Sequence, residues 1–291
     1  MNVVTEYDLR SLQHEQRMLD LYRRQSASDG GLLQPLANAC WRAAAFDWKL
    51  HDDSGSIRRL CEEAARALTE GFVRKRAGFE RGPSELLLAI HLSITARSFD
   101  LVRSLMHMVP ALPASARVRR MARSPLLLLE GYVLVARAIV ERKEEHAREA
   151  QGLLEEARAE PDHDWWRKQF PSAREVAWRI DEHEATRRLL KVIARQIMRE
   201  SLPWKSYHDI VSDSDVATGE EFVSLMDEVL LSLDRFIESE VKHNPKLYFW
   251  LPGVALSVLA ASAGLPLEWL KVRQQNSQKG YARLPLKLVL Q

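Results

Sequence analysis

The 291-residue chain carries 42 Lys and Arg against 40 Asp and Glu, a formal net charge of +2. With 46% hydrophobic and 28% charged residues it is composed like a globular protein with room for a large core, and it lacks the basic excess of a nucleic-acid binder. Its two cysteines, Cys40 and Cys61, form no CxxC pair and read as buried thiols in a reducing compartment.

Only 12 glycines and 12 prolines punctuate the sequence, so long helices are expected from end to end. The opening MNVVTEYDLRSLQHEQ has no basic start followed by an apolar block. No secretory signal is read there, and a cytoplasmic location is expected. Residues 9–25 place Leu9, Leu12, Leu19 and Tyr22 at helical spacing. Gly30-Gly31 breaks the chain, and Pro35 opens a second helix that runs to about Leu50. Asp52, Asp53 and Ser54 are the turn and cap of a third helix, Ser56 to about Arg76.

GFERGPSE reads as a loop, after which Ser84 and Glu85 start an apolar helix. FDLVRSLMHMV follows as a helix that Pro110 and Pro113 end, and residues 124–143 form another, apolar at the front and amphipathic later. EEHAREAQGLLEEARA reads as an exposed helix laced with charge pairs. PDHDWW is a turn feeding a helix, and its two adjacent tryptophans cannot share one face, so one is expected to be partly exposed or wedged between helices. Residues 171–200 cover one or two helices, SLPWKSYHDIVSDSDVATGE is the longest irregular candidate, and residues 219–241 form a clear amphipathic helix.

The run from Trp250 to Trp269 holds a single charge, Glu268. Pro252 suits a first helical turn, and Gly264 with Pro266 reads as a helix end. What lies between is shorter than the ~20 residues of a spanning helix, so it reads as a core helix and no membrane contact is expected. The fold class is therefore all-α: about ten to twelve antiparallel helices in a compact bundle or short helical solenoid. Residues 1–291 are expected to form one domain, with a weak boundary near 160–172.

Few patterns carry chemistry. His14-Glu15 and His183-Glu184 lack the second histidine of a zinc-protease helix and read as solvated faces. Asp213-Ser-Asp215 lacks the glycine and glutamate of a calcium loop, so it reads as an acidic loop capping the next helix. Asp162-His163-Asp164 reads as a helix cap. No catalytic set, metal site or cofactor motif is found, so the chain is read as a non-enzyme without cofactors.

Charge is unevenly spread. From Lys205 to Glu240 there are ten acidic residues, opposed only by Lys205 and Arg235. Trp204, Tyr207 and Phe222 stand beside them, and aromatics next to a charged patch are typical interface anchors. Such a patch would steer a basic protein partner. Trp204, Tyr207, Asp209, Asp213, Asp215, Glu220 and Glu221 are the expected partner-binding residues. The basic cluster Arg117 to Arg123 has few aromatic neighbours, and direct nucleic-acid binding is not expected.

GEEFVSLMDEVLLSLDRFIES, NPKLYFWLPGVALSVLAASAGLPLEW and GYARLPLKLVLQ together resemble the immunity 49 family of bacterial polymorphic-toxin immunity proteins. Phe222, Leu251, Ala260, Gly264, Leu265, Tyr281 and Pro285 carry the likeness, with Pro285 one residue late. SELLLAIHLSITARSFDLVRSLM is similar to that family's helix–turn–helix, with Arg97-Ser98-Phe99-Asp100 where the family often has Arg-Asp, and Lys271–Lys279 is an insertion. The resemblance implies a cytoplasmic antitoxin of interbacterial competition, which binds and neutralises a cognate toxin by covering its active site. If that toxin is a basic nuclease-type effector, the acidic residues imitate phosphate charge. The alternative from another class is a helical-repeat scaffold or adaptor for a protein partner.

Overall fold

The computed structural model describes residues 6–26, 28–51, 53–73, 82–108, 123–170, 172–200, 213–240, 249–267, 270 and 286–290. Among them are twelve α-helices and no strand. They are α1 (Glu6–Ser26), α2 (Leu33–His51), α3 (Ser54–Val73), α4 (Pro83–Thr95), α5 (Phe99–Met106), α6 (Arg123–Glu141), α7 (Glu144–Glu156), α8 (His163–Gln169), α9 (Ala173–Glu200), α10 (Asp213–Glu240), α11 (Leu251–Ser262) and α12 (Leu286–Leu290). The all-α expectation holds, as a bundle in which consecutive helices pack side by side and α11 touches α4, α6, α9 and α12.

Local chemistry sets the boundaries. The Asp53 carboxylate accepts from the backbone N–H of Gly55 at 2.9 Å and of Ser56 at 3.2 Å, capping α3. Pro83 stands in the first turn of α4, where its missing N–H costs nothing. Arg97 ends α4 in the left-handed region at φ 59°, and its guanidinium donates to the Val289 carbonyl at 2.7 Å. That bond pins α12 to the turn between α4 and α5.

Residues 213–219, expected to be irregular, are the first two turns of α10. Acidic residues at a helix start face the positive end of its dipole, which favours helix where composition alone read as loop. The helical Gly219 is explained by close approach: a Cβ there would lie 2.9 Å from Pro266 Cγ. The remainder of the expected irregular stretch, 201–212, lies outside the described residues, as do Arg117 to Arg120, Tyr281 and Pro285.

One continuous apolar core runs from Leu19 to Val289. Cys40 and Cys61 are fully buried in it, and desolvation pushes the Cys61 thiol up to about 12 and Cys40 higher still, so both stay protonated. Nine residues of α11, including Val254, Leu256 and Leu259, are buried, and Gly264 closes its C-terminal turn at φ 78°. The apolar run that begins at Trp250 is thus core, and no helix among the described residues is long and apolar enough to cross a membrane. A satellite cluster of Ala159, Trp166 and Val176 stands apart from the main core.

Apart from His14, which is exposed, the two His-Glu pairs are not the solvated faces expected. Glu15 is buried and holds the Arg42 guanidinium at 2.7 Å, linking α1 to α2. His183 is buried and donates from Nε2 to the Ala157 carbonyl at 2.7 Å, while Glu184 accepts from the Ala159 N–H at 2.6 Å. Both pairs were misread because a helix that is packed on two sides buries polar residues flanking its apolar stripe. Asp162 does cap a helix, but a distant one: its carboxylate accepts from the Ser124 N–H at the start of α6, at 2.7 Å.

Candidate functional site

Two regions hold the side chains from which a site can be built. The first is the seam between α9 and α10, the helix that carries the described members of the expected partner-binding set. Trp204, Tyr207 and Asp209 lie outside the described residues; Asp213 and Asp215 are placed by backbone alone, in the first turn of α10. Glu220 and Glu221 are exposed. Glu221 accepts from Arg195 at 2.7 Å, and two turns further on Glu228 accepts from Arg188 at 2.7 Å. Arg199 donates to the Thr218 hydroxyl, and Ser232 donates to Asp181 at 2.6 Å.

Residues 187–199 of α9 hold five basic side chains and no acidic one. The acidic stretch of α10 therefore meets a basic stretch inside the same molecule. Its net charge was read from residues 205–240 alone, and the compensating arginines lie earlier in the chain. Glu220 is exposed and has no ion-pair partner among the described residues.

The second region is a cleft of about 470 Å³ between α4, α6, α8 and α9, within the size range of small-molecule sites. Three helices present the same spacing to it. α4 contributes Ser84, Leu87, Leu88 and His91; α6 contributes Pro125, Leu128, Leu129 and Tyr132; α9 contributes Arg179, Glu182, His183 and Thr186. Each set is an i, i+3, i+4, i+7 stripe, the inward face of a helix. Here the three stripes converge without filling the space between them. Trp165, Trp166 and Phe170 form a further wall, which belongs to the satellite core, whereas Leu129 and Tyr132 belong to the main one. The cleft is the gap between two cores.

The adjacent tryptophans divide as expected: Trp166 is buried, Trp165 is half-buried, and their rings meet edge to face at 5.0 Å. Trp166 also stacks on Phe170, with ring centres 6.1 Å apart and planes 16° from parallel. At the rim, Arg179 donates to Glu182 at 2.9 Å and lies over the Phe170 ring at 5.4 Å. Glu182 also accepts from the Trp250 indole N–H at 2.8 Å, so this carboxylate ties α9 to the start of α11.

The buried end of the cleft is polar and neutral. His91 and Tyr132 are 6% and 1% exposed, and their rings meet edge to face at 4.8 Å. Desolvation holds the His91 imidazole down at about 3 and raises the Tyr132 phenol well above its ordinary value, so neither is charged at neutral pH. Neither His91 Nε2 nor the Tyr132 hydroxyl has a hydrogen-bond partner among the described residues, and the same holds for the Trp166 indole N–H. Arg179 Nε at the rim is likewise without a partner among the described residues, and because a buried polar group left unpaired costs about 1–3 kcal/mol, such a concentration at one cleft needs a cause.

Sequence reasoning missed this cleft because each stripe reads as ordinary core. The adjacent tryptophans were its one visible sign. Among the described residues, no three His, Cys, Asp or Glu side chains come together so as to hold a metal ion. No protein-family model matches the chain, and neither does any curated protein or solved structure.

Proposed function

We propose that the chain is an immunity protein, which binds a cognate bacterial toxin domain and neutralises it by covering its active site. The observation that carries this reading is the placement of acidic residues 213, 215, 220 and 221 at one end of a single long helix, with Glu220 and Glu221 exposed. Charges held on a helix keep fixed spacing, and a fixed negative surface speeds encounter with a basic partner. The pair between Glu221 and Arg195 is exposed on both sides, and such pairs exchange partners at little cost. Further support comes from the segments that carry the family resemblance: they form α4, α5, α10 and α11, elements of one packed scaffold.

In this reading the chain performs no chemistry. It needs no cofactor and acts in the cytoplasm, where a rigid surface excludes substrate from the toxin. Where the toxin is a nuclease, Glu220 and its neighbours occupy the place of substrate phosphates.

Affinity capture of the tagged chain from its own bacterium, with mass spectrometry of what is bound, tests this directly. One multidomain protein captured through its C-terminal toxin domain is expected. Several unrelated cytoplasmic proteins would replace the reading with the scaffold alternative. With the toxin in hand, reversing Asp213, Asp215, Glu220 and Glu221 to lysine should slow association at least about tenfold at low salt. Unchanged association would remove this patch from the interface.

A further inference from the structure

Three places invite a ligand: the polar groove between α1, α2 and α3, the shallow cleft where Trp178 stacks on Phe236, and the aromatic cleft between α4, α6, α8 and α9. In the first, Arg23 and Glu63 close on each other through two bonds of 2.6 Å. In the second, Asp181 is held by Ser232. The third differs, because side chains more than nine-tenths buried line it with a polar atom that has no hydrogen-bond partner among the described residues: His91 Nε2, the Tyr132 hydroxyl and the Trp166 indole N–H.

We propose that this cleft is a binding site for a neutral aromatic ring bearing one hydrogen-bonding group, of the phenol or indole kind. The walls set the shape. Phe170 stacks on Trp166 and carries the Arg179 guanidinium over its ring, and Trp165 meets Trp166 edge to face, so this wall offers a flat ring the half-buried Trp165 and the edges of the stacked pair. The buried end sets the polarity. The Tyr132 hydroxyl both donates and accepts, and the His91 imidazole offers one more polar atom, so a hydroxyl or N–H placed there completes bonds the protein leaves open. A net charge is not favoured. The two formal charges at the cleft, Arg179 and Glu182, pair through Arg179 Nη1 and cancel, and Glu182 also holds Trp250, so a carboxylate would compete with Glu182 for the guanidinium and an ammonium would compete with Arg179 for the carboxylate.

This site is independent of the toxin-neutralising reading, since its residues and those of the α10 patch do not overlap. The ring has two natural sources: a free aromatic metabolite, or a Tyr or Trp side chain inserted by a protein partner.

The test is a titration of the full chain with p-cresol and toluene, followed by the fluorescence of its tryptophans and by NMR. Saturable p-cresol binding is expected, about three- to tenfold tighter than toluene, the worth of one hydrogen bond. Benzoate and benzylamine should bind more weakly than p-cresol. Tyr132→Phe should narrow the gap between p-cresol and toluene while leaving toluene unchanged, a split that a merely destabilised fold would not produce. Leu128→Trp, at a half-buried position on the cleft wall, should abolish binding of both with the circular dichroism of the folded chain retained. No saturable binding by the wild-type chain, or equal affinity for p-cresol and toluene, overturns the proposal. Release of an aromatic compound on denaturing freshly purified protein assigns the site to a free molecule. Competition between p-cresol and a captured protein assigns it to a partner side chain.

Discussion

Along the seam between α9 and α10, Arg188 meets Glu228 and Arg195 meets Glu221; at the buried end of the cleft, His91 Nε2 and the Tyr132 hydroxyl have no hydrogen-bond partner among the described residues. The seam is rich in charge and exposed, so its polar groups are satisfied by one another or by water. The cleft has fewer polar groups, but they are out of water, where each unmade bond counts. A paired surface charge therefore says little about what a protein binds, because it is cheap to keep and cheap to lose. A buried unpaired donor says more, because the fold has a reason to retain it only if something else completes the bond.

The largest effect that would sharpen this contrast is acid sensitivity. Burial lowers the pKa of His91 to about 3 and lowers that of His183 as well, against about 6.5 in the unfolded chain. Between those values the unfolded state binds more protons, so stability is full above pH 6.5 and falls as pH drops toward 3, by an amount on the order of a few kcal/mol. Urea midpoints at pH 7 and pH 4.5 measure it. His91→Phe should flatten the slope, and a slope unchanged in that variant would mean that the cleft end is open to water.

Next in size is Gly253→Ala. An added Cβ would stand 2.1 Å from the Trp250 ring, so Trp250 must move and loosen both its bond to Glu182 and its edge contact with Trp178. A loss of about 1–3 kcal/mol is expected in denaturant unfolding. Replacing the indole alone, Trp250→Phe, should cost somewhat less, about 1–2 kcal/mol, because it removes one charge-assisted bond and leaves an aromatic ring in place. If it cost nothing, Glu182 would not be the tie between α9 and α11.

The smallest effect belongs to the seam. A double-mutant cycle on Arg195→Ala and Glu221→Ala should give a coupling of about 0.2–1 kcal/mol that shrinks in molar salt. A coupling several times larger would make the seam a structural clamp and reverse the comparison.

Much of the helical order was legible in the chain. Pro252, Asp53 and Gly264 mark boundaries through properties that are local to the backbone, and the apolar run of α11 is too short to span a membrane and too uniform to lie on a surface. The start of α10 was not legible, because Asp213, Asp215 and Gly219 are loop formers by composition. They are helical through the dipole at a helix start and the contact of Gly219 with Pro266, 47 positions away. His183 and Glu15 were misplaced for a related reason: a partner such as the Ala157 carbonyl or Arg42 is invisible to periodicity.

What the sequence determined by itself, then, is the all-α class and the buried character of Cys40, Cys61 and α11, since helix propensity, capping and hydrophobic period act over a few residues. The pairing of the acidic α10 with the basic stretch of α9, and the cleft in which three helical stripes meet an aromatic wall, were decided only by the tertiary structure. Both depend on which faces come together across long separations, and a stripe that will line a cleft has the same spacing as one that will fill a core.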